Sequence, residues 1–113
     1  VTQDLEIAFT SRSSQTYAIQ YLDTYISSSG KTNTWVTAAS GIKGTNGPIY
    51  QYIKGMPNNI TAEEVRVQWI GSSLTDYPSN ALGGYMPFRT DTIGTGLSQF
   101  DPSMAAIAFS NSL

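Results

Sequence analysis

A strict alternation of side chains runs through Ala62–Ile70 and constrains the fold more than any other stretch of the chain. Its apolar residues Val65, Val67 and Trp69 fall on one side of an extended backbone, with polar residues between them. Successive side chains of a strand point to opposite faces, so this pattern predicts a half-buried strand. We expect it to be the central strand of the core.

Other segments with alternating or β-branched apolar residues predict further strands, and turn-forming residues separate them about every ten positions. The segment at 104–109 also fits a short helix. Prolines predict that the strands at 49–53 and 85–92 lie at sheet edges. We expect polar loops at 27–33 and 71–84 and a tight turn at Asn46-Gly47. The candidate strands are residues 4–10, 15–26, 34–38, 49–53, 62–70, 85–92 and 104–109.

Residues 15–26 fit two structures. Tyr17, Ile19 and Tyr21 alternate as in a strand, whereas Leu22 and Ile26 share a helical face with Ile19. Few strong helix formers occur there, which favours the strand. The chain is thus predicted to be a single mainly β domain over residues 1–113, an antiparallel β-sandwich of about seven strands. A helix at about 15–26 would make the fold α+β instead.

The composition excludes several kinds of site. Only 12% of the residues are charged, the net charge is −2, and neither cysteine nor histidine occurs. Nucleic-acid binding is disfavoured because there is no basic cluster to contact phosphates. A thiolate metal site and a histidine general base are excluded. No apolar run reaches the length of a membrane helix, so we expect no membrane insertion.

The acidic residues show no catalytic or metal-binding spacing. Glu63 and Glu64 would point to opposite faces of a strand, and Asp76, Asp91 and Asp101 fall in predicted loops without a calcium-loop pattern. We therefore expect no catalytic residues, no metal and no cofactor, and a protein that is not an enzyme.

Tyrosine is the residue type that points to binding. Seven tyrosines and two tryptophans exceed what one small core needs, and tyrosine rings stack on sugars and anchor interfaces. Tyr50 and Tyr52 share the outward face of their strand, and Tyr77 and Tyr85 flank the long loop. These four form the candidate binding patch. Trp35 and Trp69 are expected in the core.

The pattern around Tyr17–Tyr21, Trp35–Thr37 and Val65–Val67 resembles small immunoglobulin-like or fibronectin-type sandwiches of bacterial and phage surface proteins. The resemblance is carried by residues common to sandwiches in general, so it implies a fold and identifies no family.

Low charge, abundant Ser, Thr and Tyr, and absent cysteine are typical of surface filaments, virion parts and secreted modules. We expect an extracellular, cell-surface or virion protein, and the start at Val1 suggests a processed chain or a trimmed piece. The predicted function is a non-catalytic structural or assembly subunit, such as a filament, pilus, coat or tail component. Its partners would be other protein subunits, joined by strand addition through Leu5–Phe9 or Met104–Phe109. The alternative is a carbohydrate-binding or adhesin module.

Overall fold

Two β-sheets make up the computed structural model, which describes residues 2–11, 15–42, 47–72, 88–89 and 105–112. One sheet has four strands in the order β4-β1-β7-β6, and the other has three in the order β3-β2-β5. All neighbours are antiparallel except β6 and β7. The mainly β prediction with about seven strands is confirmed. The strands are β1 Thr2–Ser11, β2 Thr16–Ser27, β3 Gly30–Ile42, β4 Gly47–Pro57, β5 Val65–Ile70, β6 Phe88–Arg89 and β7 Ala105–Ser112.

The core lies between the two sheets and is centred on Phe9. Its ring meets Tyr17 edge-on at a centroid distance of 5.2 Å and Trp69 at 6.1 Å, so β1 contacts both β2 and β5. Burying each large apolar side chain contributes about 1.5–3 kcal/mol. The remaining large core residues are Leu5, Ile7, Ile19, Ile49, Met56, Ile60, Val65, Val67 and Ile107.

In the Ala62–Ile70 segment, the buried side chains are those predicted, but the strand does not lie at the predicted central position of its sheet. Val65, Val67 and Trp69 are buried, and the strand alternation is confirmed. However, β5 lies at the edge of its sheet, and β2 is the central strand. Alternation specifies which side chains are buried, whereas the number of neighbouring strands depends on pairing with distant segments.

The first residues of that segment do not belong to the strand. Ala62–Glu64 form a short 3-10 turn, in which the Thr61 N–H donates to Glu64 Oε1 at 2.9 Å. The expectation that Glu63 and Glu64 point to opposite faces of a strand is therefore wrong. A capping interaction of this kind satisfies backbone donors at the start of the turn.

Residues 15–26 are a strand, and the helix alternative is wrong. β2 pairs with β3 on one side and with β5 on the other. Backbone pairing on both edges, with Tyr17 and Ile19 buried, outweighs the apolar helical face. The short-helix alternative for 104–109 is wrong for the same reason, because β7 pairs along β1.

The strand predicted at 34–38 is confirmed but is longer than expected, and the loop predicted at 27–33 is wrong except for the turn at 28–29. β2 and β3 form a hairpin in which Ser27 pairs with Gly30, and β3 extends over 13 residues. Gly30 has φ 121°, a conformation that glycine adopts without strain. The polar Ser, Thr and Asn residues suggested a loop, yet they belong to an exposed strand, where they are easily accommodated.

Several predicted features concern the sheet edges. β4, which contains Pro48, is an edge strand as predicted, and it continues to Pro57, beyond the strand predicted at 49–53. β1, with Leu5–Phe9, lies between β4 and β7, so it cannot add to another chain's sheet. Of the predicted strand at 85–92, only β6 is described, and it lies at the sheet edge.

The remaining connections are described only in part. Residues 71–72 turn away from β5, and the rest of the predicted 71–84 loop lies outside the described residues, as does Asn46 of the predicted turn. In the described ranges, no helix is both long and apolar enough to cross a bilayer.

Candidate functional site

Tyr50 and Tyr52 lie on the outer face of the four-stranded sheet, as the alternation along β4 predicts. Ile49 between the sheets is buried, whereas the two tyrosines are 50% and 47% exposed. The register with β1 places Tyr50 opposite Ala8 and Tyr52 opposite Glu6. The two rings therefore stand side by side on one surface, above the middle of β1.

Two carboxylates of β1 hold the tyrosine hydroxyls. Tyr50 Oη donates to Glu6 Oε2, and Tyr52 Oη donates to Asp4 Oδ2 at 2.5 Å. Asp4 is only 7% exposed, and its second oxygen accepts from the Gly55 N–H at 3.2 Å. These bonds fix both rings while leaving about half of each accessible. We call Tyr50, Tyr52, Asp4 and Glu6 the tyrosine strip.

The carboxylates change the acidity of the phenols. The hydrogen bond to Glu6, helped by partial desolvation and the negative charge of Glu6, raises the pKa of Tyr50 above 10.0. The hydrogen bond to Asp4 raises the pKa of Tyr52 in the same way, and a hydrogen bond with Ser110 partly offsets it. Both hydroxyls thus remain protonated donors at neutral pH.

Small residues flank the tyrosine strip on the same face. Ala8 of β1 pairs with Ala106 of β7, and both are fully buried. The tyrosine rings therefore supply the accessible apolar surface here. Such a surface can stack on a sugar face or pack against another protein.

The other two predicted members of the patch, Tyr77 and Tyr85, lie outside the described residues, as do Asp76, Asp91 and Asp101. Within the described ranges, the structure brings Tyr50 and Tyr52 together on one face. Their carboxylate partners were not identified from sequence, because Glu6 and Tyr50 are 44 positions apart and only the register joins them.

A second polar surface lies on the outer face of the three-stranded sheet. Gln20 Nε2 donates to Thr37 Oγ1 at 3.1 Å, and Arg66 Nε donates to Gln20 Oε1 at 2.8 Å. The Arg66 guanidinium carbon lies 4.1 Å from the centre of the Trp35 ring. The expectation that Trp35 is a core residue is wrong, because its position in β3 faces outward. Trp69 is buried as predicted.

The outer edge of β3 is the longest sheet edge in the described part of the chain. β3 has 13 residues with one charged side chain, Lys31, and no proline. No other described strand pairs with its outer side. By contrast, β4 carries Pro48, Lys54 and Pro57 along its edge. The register with β2 shifts between Thr37 and Ala39, so the regular part of β3 is Gly30–Thr37.

Within the described ranges, no cluster of three or more His, Cys, Asp or Glu residues could hold a metal ion. Comparison with protein-family models, with curated proteins and with solved structures finds no match. The geometry of the tyrosine strip and of the β3 edge therefore provides the basis for a functional interpretation.

Proposed function

We propose that this chain is a non-catalytic assembly subunit of an extracellular or virion surface structure, such as a filament, pilus, coat or tail. It joins other protein subunits by extending its three-stranded sheet along β3. The proposed location is supported by composition: few charges, no cysteine and abundant hydroxyl side chains.

The observation that carries the proposal is the contrast between the two long edge strands. An open edge presents unpaired N–H and C=O groups to any approaching strand, and proteins commonly block such edges with proline, lysine or a bulge. β4 has prolines near both ends and Lys54 between them. β3 has no charge or proline from Thr32 to Thr37, and a second chain can add there.

The side chains of β3 also suit pairing. Thr, Val and Trp favour the extended conformation and stabilise cross-strand contacts by about 0.2–1 kcal/mol per pair. Asn33, Thr34 and Thr37 are exposed, and Trp35 and Val36 are partly exposed. Pairing along this stretch would bury them, and none of the five carries a charge.

The test is sedimentation velocity over a wide concentration range, with the wild type, Thr34→Lys and Asn58→Lys. The wild type should associate as its concentration rises. Thr34→Lys places an ammonium on the β3 edge and should weaken association about tenfold or more, equivalent to at least 1.4 kcal/mol. Asn58→Lys adds the same charge to an exposed turn, so it should associate like the wild type.

The proposal is contradicted if the wild type stays monomeric at every concentration tested. It is also contradicted if the two lysine variants weaken association equally. Unchanged circular dichroism of both variants is needed to exclude unfolding as the cause.

The tyrosine strip favours a second candidate, a carbohydrate-binding or adhesin module. Two half-exposed rings with fixed hydroxyls form a preorganised platform for a sugar face, beside the Glu6 carboxylate. Glycan-array binding that is lost in Tyr50→Ala would support this candidate. Ile42→Ala, which truncates a 67% exposed residue of β3, is the matched control and should bind normally. No binding across the array would count against the module.

A further inference from the structure

We infer that the strand that adds to β3 is β3 of a second copy of this chain, antiparallel and related by a two-fold axis. This inference rests on the proposed assembly function and identifies its partner. The two three-stranded sheets would then form one continuous sheet of six strands.

The faces of β3 restrict how two copies can pair. Its register with β2 places Val36 opposite Tyr21, whose side chain packs on the core, and Trp35 opposite Leu22 on the outer face. A two-fold axis normal to the sheet keeps core faces on the same side. Residues opposite each other must therefore both face the core or both face outward. Because side chains alternate along a strand, this requires the two-fold axis to pass through a residue and not between two residues.

The regular stretch Gly30–Thr37 leaves two central positions for the axis, Thr34 and Asn33. An axis at Thr34 pairs this residue with itself and Val36 with Thr32, which puts β-branched residues opposite each other. An axis at Asn33 would instead place Val36 opposite Gly30, which has no side chain to pack. The axis at Thr34 is therefore favoured.

The charge distribution along β3 fits this self-pairing. With the axis at Thr34, the one charged position of the strand, Lys31, lies opposite Thr37. No like charges face each other across the contact, which would otherwise oppose pairing. Trp35 lies opposite Asn33, and the two Trp35 positions are diagonal neighbours, which is within reach of aromatic rings.

The described part of the chain offers no equally suitable edge. The edge of β4 contains two prolines, which cannot donate to a ladder. β5 has only 6 residues and includes Arg66. Self-pairing through β4 would give fewer hydrogen bonds. Self-pairing through the short β5 would give few hydrogen bonds and bring two arginines close together.

Single cysteines test the axis directly, because the chain has no native cysteine. Opposite residues of antiparallel strands have Cα atoms about 4.5–5.5 Å apart, within the range for a disulfide. Thr34→Cys should therefore form covalent dimers readily under mild oxidation. Asn33→Cys is the matched control on the same strand, because its two copies would be too far apart to bridge, and Asn58→Cys gives the background.

Opposite charges provide the second test. Thr34→Lys and Thr34→Glu should each associate about tenfold or more weakly than the wild type when alone. An equimolar mixture should recover association, because each lysine then faces a glutamate of the other variant. Mixing Asn58→Lys with Thr34→Glu should give no recovery.

The outcomes separate this inference from the assembly function. If the wild type associates but Thr34→Cys crosslinks no better than Asn33→Cys and the charged mixture shows no recovery, the two-fold β3 contact is overturned. The assembly function would then stand with another partner or register. If the wild type does not associate at all, both are overturned.

Discussion

The Tyr52 hydroxyl donates a hydrogen bond to a carboxylate that is itself almost completely buried. Asp4 has 7% of its surface exposed and accepts both from Tyr52 Oη and from the Gly55 N–H. Burial of an acceptor is tolerated when its hydrogen bonds are made, so this pair fixes the end of β4 against β1. Tyr50 repeats the arrangement with Glu6 at a more exposed position.

The first prediction concerns tyrosine ionisation. The pKa of Tyr50 lies above 10.0, mainly because its hydroxyl donates to Glu6. Glu6→Gln removes the charge and should lower the pKa of Tyr50 towards 10.0. Carbon NMR of protein labelled at tyrosine Cζ measures this, with Tyr50→Phe to assign the resonance. Tyr52, which is held by Asp4, should titrate almost as before and serves as the internal control.

The sign of the stability effect follows from the same pKa. Because the folded-state pKa of each phenol is raised, the stabilisation by its hydrogen bond is fully present below about pH 10. It is lost as the pH rises through the raised pKa. A Tyr50 resonance titrating at or below 10.0 in the wild type would contradict the proposed hydrogen bond.

The second prediction concerns Gly41 in β3. A Cβ at this position would lie 2.7 Å from Tyr17 Oη and 2.9 Å from Tyr17 Cζ. Since Tyr17 is buried against Phe9, its ring has little room to move. Gly41→Ala should therefore lower the free energy of unfolding by about 1–3 kcal/mol, measured by urea denaturation.

Tyr17→Phe provides a check on the cause. Removing the hydroxyl relieves the closest contact, so Gly41→Ala should cost less in the Tyr17→Phe background than in the wild type. Ser40→Ala, at the exposed neighbouring position, should change stability little. Equal costs of Gly41→Ala in both backgrounds would show that the clash is not with the hydroxyl.

Among the elements, the connection between β4 and β5 passes from one sheet to the other. Gln3 of β1 anchors it, because Nε2 donates to Ile60 O at 2.7 Å and to Pro57 O at 2.9 Å. Met56 and Ile60 on either side of the turn are buried in the core. One side chain of β1 therefore holds the crossing chain in place.

The third prediction tests this anchor. Gln3→Met keeps the length of the side chain but removes the donor, leaving the Ile60 carbonyl without its amide partner. We expect a loss of about 1–3 kcal/mol in the free energy of unfolding, with faster amide exchange between residues 58 and 64. Gln68→Met on the outer face of β5 is the control and should be nearly neutral. Equal losses in both variants would argue against a specific anchoring role.

The elements also show which features a sequence pattern can predict. Period-two alternation placed Val65, Val67 and Trp69 in the core and Tyr50 and Tyr52 outside, because this information is local. The neighbours of each strand are set by pairing between distant segments, so the edge position of β5 was missed. The length of β3 was missed because its hydroxyl and amide side chains are shared by loops and exposed strands.

At the scale of the whole molecule, the two sheets differ in which residues lie along their long edge strands. The edge strand β4 of the four-stranded sheet has two prolines and a lysine, whereas the edge strand β3 of the three-stranded sheet has one lysine and no proline. The tyrosine strip lies on the first sheet, and the proposed β3 contact lies on the second. Assembly through β3 would therefore leave the tyrosine strip outside the strand–strand contact.

Assembly by strand addition stays a prediction, and the sequence did not indicate which strand edge the described residues leave available. The apolar segment Leu5–Phe9 was a candidate for addition to another chain, yet it is the part of β1 most deeply buried between sheets. Apolar alternation marks core strands, whereas an available edge is defined by missing neighbours. Only the sheet order distinguishes the two.

Residue-specific hydrogen exchange at low and high protein concentration tests the central claim most directly. If the β3 edge pairs with another copy, alternate amides between Thr32 and Thr37 should exchange more slowly at high concentration, while those on the β4 edge should not change. Exchange along β3 that is independent of concentration, in a sample shown to be associated, would contradict the claim.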